Sequence, residues 1–373
     1  MTGPTRACTA CNSPMWSKSD SPMRSALSLC LSLAWYRNPP WLRLLRPLSR
    51  LYAGIMRRRR TRFLADPARS YRPKALVVIV GNLTVGGTGK TPLTLALAQV
   101  LQQHGVALAI VSRGHGGRSR QYPLEVTPDM DASQCGDEAL IYARRAGCPV
   151  VVDPKRARGV RFLEAKYAPR LILSDDGLQH YALQRDVEII VIDGQRGLGN
   201  GHLLPQGPLR EDASRLDTVD LVVSNGMLLA DLPPCNKPLY TMQVAPALLH
   251  NLASGEQLTI EAFRARHPGK VHAVAGIGNP ARFFNTLAQE GFAIISHVFN
   301  DHHRFQTGDI SFDDELPVLM TEKDAVKCHK FAGARHWYLG VNAVLPPELL
   351  PALLDLLVVK HRQLDAAVSR TES

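Results

Sequence analysis

The stretch from Ala75 to Thr94, ALVVIVGNLTVGGTGKTPLT, constrains the fold of this chain more than any other part of the sequence. Its first six residues, Ala75–Val80, are apolar and mostly β-branched, which predicts a short strand buried in a parallel sheet. Four glycines follow within nine positions, and Lys90-Thr91 then begins an apolar-periodic segment that predicts a helix. A strand, a glycine-rich loop, Gly-Lys-Thr and a helix in this order are the context of a phosphate-binding loop, or P-loop.

The residue types of this loop suit a nucleoside triphosphate. Glycines let backbone N–H groups turn toward a phosphate chain, and the helix N-terminus adds a partial positive charge. Lys90 is placed to reach the outer phosphates, and Thr91 to offer its hydroxyl to Mg2+. The pattern departs from G-x-x-x-x-G-K-[ST] only at Thr84, which replaces the first glycine, and a plain glycine turn would not explain Gly-Lys-Thr. We predict a nucleotide site formed by Thr84, Val85, Gly86, Gly87, Thr88, Gly89, Lys90 and Thr91.

Length and composition predict a folded chain of two domains. The 373 residues exceed the size of one typical domain, and the apolar fraction of 45% is enough for a large core. Seven scattered cysteines, with one unmatched C-x-x-C pair, are typical of reduced thiols and not of a disulfide framework. We predict a disordered stretch, or one that precedes the true start, at 1–22, a membrane-associating helical segment at 23–62, a P-loop domain at 63–227, a linker at 228–240, a smaller α/β domain at 241–365 and a tail at 366–373.

Short apolar runs and helical patterns alternate through the predicted P-loop domain. This alternation predicts an α/β fold with a doubly wound parallel sheet, whose ligands bind at the carboxyl ends of the strands. Acidic residues stand at two such positions. Asp175-Asp176 follow an apolar run, where P-loop proteins hold Mg2+ or its water with a carboxylate, although a simple turn is the alternative. Asp137 begins a helix after Gly136, and capping of that helix would explain it equally well.

The net charge of +11 is concentrated in a segment near the N-terminus. Residues 42–74 contain eleven lysines and arginines against one acid. Apolar residues at helical spacing accompany them, which favours an amphipathic helix that lies in an anionic membrane interface. A helix packed on the protein with a solvated basic face is the alternative, and few aromatic residues support a nucleic-acid arm. The predicted apolar face consists of Trp41, Leu44, Leu45, Leu48, Tyr52 and Ile55.

Taken together, the motifs of the chain closely resemble the tetraacyldisaccharide 4'-kinase family. The resemblance implies transfer of the γ-phosphate of ATP, with Mg2+, to the 4'-hydroxyl of a tetraacylated glucosamine disaccharide 1-phosphate, giving lipid IVA in lipid A biosynthesis. It also implies two domains that close on each other, at the cytosolic face of a Gram-negative inner membrane. The matching stretches are Gly81–Pro92, Val111–Gly114, Gly136–Glu138, Asp175–His180, Asp186–Glu188, Gly207–Glu211, Ala275–Gly278, Arg282–Phe284, Asp301-His302 and Thr321–Lys327.

The resemblance also implies roles for individual residues. Asp137 would accept the proton of the sugar hydroxyl with help from His302, while Lys90 and Arg210 would neutralise phosphate charge. Thr91 with Asp175 or Asp176 would position Mg2+. Residues expected to contact or support the substrate are Arg113, Glu138, Lys155, Arg158, Gln179, His180, Glu211 and Asp301. The expected partners are the lipid-linked disaccharide and an anionic lipid surface, without nucleic acid or an obligate protein partner.

Three departures from the family pattern remove no proposed catalytic group. His115 stands where the family usually has Tyr, Ala139 where Pro follows Gly-Asp-Glu, and Gln206 where Ala precedes Gly-Pro. The alternative function is a membrane-associated P-loop ATPase that acts as a switch or scaffold. Such a protein would need the P-loop, the metal acid and the basic helix, but it would not need Asp137 with His302.

Overall fold

The computed structural model of the chain describes residues 31–371, with side chains to residue 363. The expectation for residues 1–22 lies outside the described residues, as do residues 23–30 of the predicted membrane-associating segment and residues 372 and 373 of the predicted tail. The strands are β1 (Leu76–Gly81), β2 (Leu108–Ser112), β3 (Leu124–Glu125), β4 (Val150–Val152), β5 (Leu171–Asp175), β6 (Val187–Asp193), β7 (Leu221–Asn225), β8 (Leu239–Asn251), β9 (Gln257–Leu258), β10 (Lys270–Ala275), β11 (Ala293–Val298), β12 (Val318–Thr321) and β13 (His336–Val344).

Helices lie between most of these strands, as the alternating pattern predicts. They are α1 (Arg46–Ala65), α2 (Lys90–Gln103), α3 (Ala132–Cys135), α4 (Asp137–Arg145), α5 (Arg156–Tyr167), α6 (Ile260–Arg266), α7 (Pro280–Gln289), α8 (Thr307–Ile310), α9 (Glu322–Cys328) and α10 (Leu349–Thr371). Short 3-10 helices cover Pro40–Leu45, Pro67–Arg69 and Ala213–Thr218, and residues 31–37 are also helical.

The strands form one sheet in the order β11-β10-β12-β13-β8-β7-β6-β1-β5-β2-β4-β3, with β9 paired to β8. β1 lies between β5 and β6 and is parallel to both, which confirms the predicted doubly wound P-loop sheet. Alternate residues of β1 fill the two faces. Val78 packs with Leu93 and Leu97 of α2 on one face, and Val77 and Ile79 pack on the other. β1 is therefore buried from both sides, and the loop after it is fixed at the centre of the sheet.

The sheet has two lobes that are joined by β8. The first lobe contains β1–β7, and the second contains β9–β13. The beginning of β8 pairs in parallel with β7, where Val222 lies opposite Leu239. Its end pairs antiparallel with β13, where Trp337 lies opposite Asn251. The chain therefore passes from one lobe to the other along a single strand, whose first two residues lie within the predicted linker.

The helix α1 lies against the first lobe with one side exposed. Ser49 Oγ donates a hydrogen bond to the Leu203 carbonyl, and Tyr52 OH donates one to the Arg210 carbonyl, both at 3.0 Å. Tyr52 therefore faces the protein and not the predicted apolar face. Leu48, Leu51 and Ile55 are more than half exposed and share one face of the helix, because they are spaced by three and four residues. No helix within residues 31–371 is long and apolar enough to cross a bilayer.

Candidate active site

A cleft of about 880 Å³ opens between the two lobes, and α1 forms part of its wall. The P-loop lines it from the first lobe, with Lys90 and Thr91 at the start of α2. Tyr52, Met56 and Arg59 line it from α1. The cleft therefore connects the phosphate-binding end of the sheet with α1. The sequence did not indicate which residues of α1 line the cleft.

The P-loop backbone is shaped by two glycines and supported by the neighbouring strand. Gly86 and Gly89 have φ of +105° and +98°, a conformation that residues with side chains rarely adopt. A Cβ at Gly89 would lie 2.3 Å from Nδ2 of Asn225, at the end of β7. That same Nδ2 donates a hydrogen bond of 3.0 Å to the Thr88 carbonyl. Asn225 of β7 therefore leaves no room for a side chain at position 89, and its hydrogen bond holds the loop in place.

Thr84, which replaces the usual first glycine, lies outside the cleft. It is buried and forms an isolated antiparallel bridge with Leu209, while the N–H of Val85 donates to the Pro208 carbonyl at 2.9 Å. The segment before Arg210 therefore holds the beginning of the P-loop by backbone hydrogen bonds. A glycine is not needed at position 84, because this residue is not among the positive-φ residues of the chain.

The two adjacent aspartates after β5 face different environments. Asp176 lines the cleft, and its carboxylate accepts two hydrogen bonds from Arg210 Nη1 at 2.8 and 3.0 Å and lies 3.5 Å from Lys90 Nζ. Burial raises the pKa of Asp176, but the cations Lys90 and Arg210 outweigh it and hold that pKa well below its usual range. Asp175 is 1% exposed, and burial raises its pKa to about 7. Its Oδ2 accepts a 3.2 Å hydrogen bond from Ser112, while its Oδ1 has no hydrogen-bond partner.

Asp137 and His302 meet across the two lobes. Asp137 is the first residue of α4, and His302 lies in the loop after β11. His302 Nδ1 is 3.0 Å from Asp137 Oδ2. Burial lowers the pKa of His302, but the hydrogen bond to Asp137 outweighs it and raises this pKa above its usual value. The structure therefore brings together the two residues that the resemblance paired.

A lysine that sequence reasoning did not select lies beside this pair. Lys323 Nζ is 3.2 Å from Glu138, 3.5 Å from Asp301 and 4.0 Å from Asp137. We call Asp137, Glu138, Asp301, His302 and Lys323 the cross-lobe cluster. Burial raises the pKa of Asp137, but Lys323 and His302 together bring it down to about 2. Asp137 is thus a carboxylate at neutral pH although it is almost fully buried.

Arg59 of α1 and Arg113 and Arg156 of the first lobe line the cleft and act on His180. Arg156 is 3% exposed and donates to the carbonyl oxygens of Asp175 and Asp176 at 3.3 and 3.2 Å. Its Nε has no hydrogen-bond partner. Burial and the nearby guanidinium of Arg156 lower the pKa of His180 to about 4, so this histidine is neutral at pH 7. This part of the cleft is suited to anionic groups.

Most, but not all, of the predicted site residues line the cleft. Arg158 instead forms a 2.6 Å ion pair with Asp153, and Glu211 pairs with Arg215 at 3.3 Å inside the first lobe. Those that line the cleft are Val85, Gly86, Gly87, Thr88, Gly89, Lys90, Thr91, Arg113, Glu138, Asp176, Gln179, His180, Arg210, Asp301 and His302. Those that do not are Thr84, Asp137, Lys155, Arg158, Asp175 and Glu211.

Sequence reasoning missed residues whose signal is weak outside their three-dimensional context. Asn225 and Arg282 are an example, because the side chain of Arg282 donates a 2.6 Å hydrogen bond to Asn225 Oδ1 from the second lobe. Lys323 belongs to a matched stretch of the chain, Thr321–Lys327, but only its position beside Asp137 distinguishes it from the other lysines of the chain.

The fold and the site define a class of protein. A P-loop after the central strand and a carboxylate after the neighbouring strand are typical of P-loop proteins that act on a nucleoside triphosphate. A model of the family described as tetraacyldisaccharide-1-P 4'-kinase, LpxK, matches residues 41–358. This chain therefore belongs to the tetraacyldisaccharide 4'-kinase family.

Individual relatives agree with the family model. A tetraacyldisaccharide 4'-kinase of Alcanivorax borkumensis is 49% identical over 330 residues, which are 88% of this chain and 98% of the relative. One of Ectopseudomonas mendocina is 50% identical over 318 residues, 85% of this chain and 93% of the relative. A crystal structure of LpxK from Aquifex aeolicus in complex with ATP is similar with a TM-score of 0.72 and 26% identity. That likeness covers 86% of this chain and 99% of the other.

Proposed function

We propose that this chain is a kinase that transfers the γ-phosphate of ATP to the 4'-hydroxyl of tetraacyldisaccharide 1-phosphate, which gives lipid IVA in lipid A biosynthesis. The observation that carries the proposal is the Asp137–His302 pair, 3.0 Å apart, beside a P-loop cleft in a member of this family. The relative from Aquifex aeolicus was solved with ATP, which supports ATP as the donor. A switch or scaffold ATPase is not favoured, because it would have no use for this pair.

The phosphates of ATP would be held by the P-loop. Backbone N–H groups from Gly86 to Thr91 and the N-terminus of α2 favour negative charge there. Lys90 and Arg210 both form ion pairs with the carboxylate of Asp176. When ATP binds, they would exchange part of these contacts for contacts with phosphate oxygens. Preorganised cations of this kind act on the charge that develops during phosphoryl transfer, and they carry the larger share of catalysis.

The residues present also fit Mg2+. Thr91 and Asp176 line the same cleft, and Asp175 directly behind them has a buried carboxylate oxygen without a hydrogen-bond partner. Mg2+ prefers such oxygen ligands and usually shares them with substrate phosphates and water. Among the described residues no group of three or more His, Cys, Asp or Glu side chains could hold a metal alone. Bound here together with the nucleotide, Mg2+ would neutralise charge on the β- and γ-phosphates.

The Asp137–His302 pair would take the proton of the acceptor hydroxyl. Asp137 is ionised at neutral pH, and its Oδ2 is hydrogen-bonded to Nδ1 of His302. As the sugar oxygen forms its bond to the γ-phosphorus, the bond from that phosphorus to the β–γ bridging oxygen breaks and ADP leaves. The sugar O–H bond breaks as well, and its proton passes to the pair. A base in this position contributes about 10²- to 10⁴-fold to the rate.

The direct test is transfer of radiolabelled γ-phosphate from ATP to tetraacyldisaccharide 1-phosphate in detergent micelles. We expect a labelled lipid product with the wild-type protein and none with Lys90→Ala. ATP turnover should depend on the acceptor, because transfer to water would waste the nucleotide. Equal ATP hydrolysis with and without the lipid, and no labelled lipid, would contradict the proposal and favour a switch ATPase.

We also propose that α1 holds the protein peripherally on the cytoplasmic face of the inner membrane. Leu48, Leu51 and Ile55 of α1 are 55–64% exposed and form an apolar stripe beside the exposed Arg57. Leu44, in the 3-10 helix that precedes α1, is 80% exposed. Such a helix lies in a membrane interface and gains affinity from anionic lipid. Because other residues of α1 line the cleft, a lipid next to this helix would present its sugar to the P-loop.

Binding to vesicles tests the role of this stripe. Leu48→Glu with Leu51→Glu should reduce pelleting with phosphatidylglycerol vesicles by about tenfold, since two apolar side chains lose their burial. Leu229→Glu is the control, because Leu229 is a 70% exposed leucine outside α1. Salt should weaken wild-type binding only in part. If both variants pellet as the wild type does, another surface binds the membrane.

A further inference from the structure

Lys323 occupies the centre of the cross-lobe cluster. It lies in the first turn of α9, in the second lobe, and its Nζ faces Glu138 at 3.2 Å and Asp301 at 3.5 Å. It also lies 3.4 Å from His302 Nε2 and 4.0 Å from Asp137 Oδ2. One ammonium group is thus within 4.0 Å of every other member of the cluster. Its side chain is 20% exposed, so water competes little with these contacts.

The neighbouring residue fixes Lys323 in this position. Glu322 forms a 2.6 Å ion pair with Arg145 at the end of α4, in the first lobe. Arg145 also donates to the Val341 carbonyl at 3.1 Å and to Asn342 at 2.6 Å in β13. The first turn of α9 is therefore joined to the first lobe at two adjacent residues, and only Lys323 of the two reaches Asp137.

We propose that Lys323 is the positioning residue of the Asp137–His302 pair, which it holds together across the lobes in one hydrogen-bonded arrangement. The proposal rests on the proposed phosphoryl transfer. A lysine ammonium can only donate hydrogen bonds, so in the neutral ring the His302 Nε2 that faces it presents its lone pair. The neutral imidazole then carries its hydrogen on Nδ1 and donates it to Asp137 Oδ2. Lys323 thereby selects the tautomer in which Asp137 accepts from His302.

The charge of Lys323 has a second consequence for this pair. Three carboxylates, Asp137, Glu138 and Asp301, surround one ammonium and the His302 ring. Other titratable or charged groups also interact with Asp137 or His302: His115, whose ring meets His302 edge-on at 4.5 Å, Lys327 and the Cys135 thiol. Burial lowers the pKa of Lys323, but the carboxylates outweigh it, so the ammonium keeps its proton throughout the working range. Its positive charge opposes protonation of both His302 and Asp137.

Kinetics of Lys323→Met separate this role from a structural one. We expect kcat to fall by at least about tenfold, with the KM for ATP changed less than about twofold, because Lys323 is not part of the P-loop. The acidic limb of the kcat/KM profile should move up by about one pH unit, since the pKa values of the pair rise when the cation is removed. Lys323→Arg keeps the charge and should keep the wild-type limb while it loses part of the rate.

Two further variants control for folding and for the joint between the lobes. Lys330→Met removes an exposed lysine of the second lobe that pairs with Asp131 of the first, and it should leave the profile unchanged. Lys323→Gln is neutral but can still donate a hydrogen bond, so it replaces Lys323→Met if that variant does not fold. A fall in rate without movement of the acidic limb, or wild-type rates in the neutral variants, would overturn the proposal.

An NMR titration of His302 tests the proposal without any turnover. The imidazole signals are assigned by their absence in His302→Ala, and the pKa is followed in the wild type and in Lys323→Met. We expect a higher His302 pKa in Lys323→Met and a value close to wild type in Lys330→Met. An unchanged His302 pKa would overturn the role of Lys323 even if the kinase is active. If instead no labelled lipid forms in the wild type, it is the proposed function that fails.

Discussion

The P-loop and the cross-lobe cluster perform adjacent tasks but are built in opposite ways. The P-loop is a run of consecutive residues between β1 and α2, held by a hydrogen bond from Asn225 and by the segment before Arg210. The cluster joins residues 165 positions apart in the chain, such as Asp137 and His302. The first therefore exists whenever the first lobe folds. The second exists only while the continuous sheet and the closed cleft hold two lobes in register.

Removal of the P-loop cation should have the largest effect. In Lys90→Ala, the phosphates lose the cation that now lies 3.5 Å from Asp176, so we expect turnover to fall by about 10³-fold or more. Thr91→Ala should show a similar loss that excess Mg2+ does not restore. Both variants should melt as the wild type does in circular dichroism. Near-normal turnover in either one would exclude the P-loop from the chemistry.

Removal of the pair should affect catalysis but not nucleotide binding. For Asp137→Ala and His302→Ala we expect kcat to fall by about 10²- to 10³-fold, with the KM for ATP almost unchanged. Because the two side chains act as one unit, the double variant should be little worse than the more damaging single one. Independent losses that multiply, or a loss seen mainly in ATP affinity, would return Asp137 to the role of a helix cap.

The same contrast explains what the sequence could predict. Strand, loop and helix from Leu76 to Gln103 follow from local pattern, and so does the start of α4 at Asp137. The role of β8 could not be predicted, because a strand that pairs with strands of both lobes has the same local sequence pattern as a strand that pairs within one lobe. Lys323 was missed for the same reason, since its four partners come from α4 and from the loop after β11. Only the resemblance to a family indicated that Asp137 and His302 act together.

The pH dependence of stability measures how strongly the native cluster holds Asp137 in its ionised form. The pKa of Asp137 is about 2 in the folded chain and about 3.9 when unfolded, so its contribution is present above pH 4 and is lost as the pH falls toward 2. Between pH 5 and pH 3 the wild type should lose about 1 kcal/mol more unfolding free energy than Asp137→Asn does. Urea unfolding at the two pH values checks this. Equal losses would mean that the cluster does not stabilise the carboxylate.

The smallest expected effect comes from the point at which the two regions touch. Gly278, in the loop after β10, packs so closely on the P-loop that a Cβ there would lie 2.9 Å from the N–H nitrogen of Gly87 and 3.3 Å from Asp301 Oδ2. Gly278→Ala should therefore move the second lobe by a few tenths of an ångström against the first. Since such a shift disturbs both the phosphates and the pair, kcat should fall and the KM for ATP should rise together, each by about two- to fivefold. Gly269→Ala, in open space of the same lobe, should change neither. If Gly278→Ala lowers kcat but leaves the KM for ATP unchanged, ATP binding by the P-loop does not depend on how closely the two lobes pack. The P-loop and the cross-lobe cluster would then be coupled only through the acceptor.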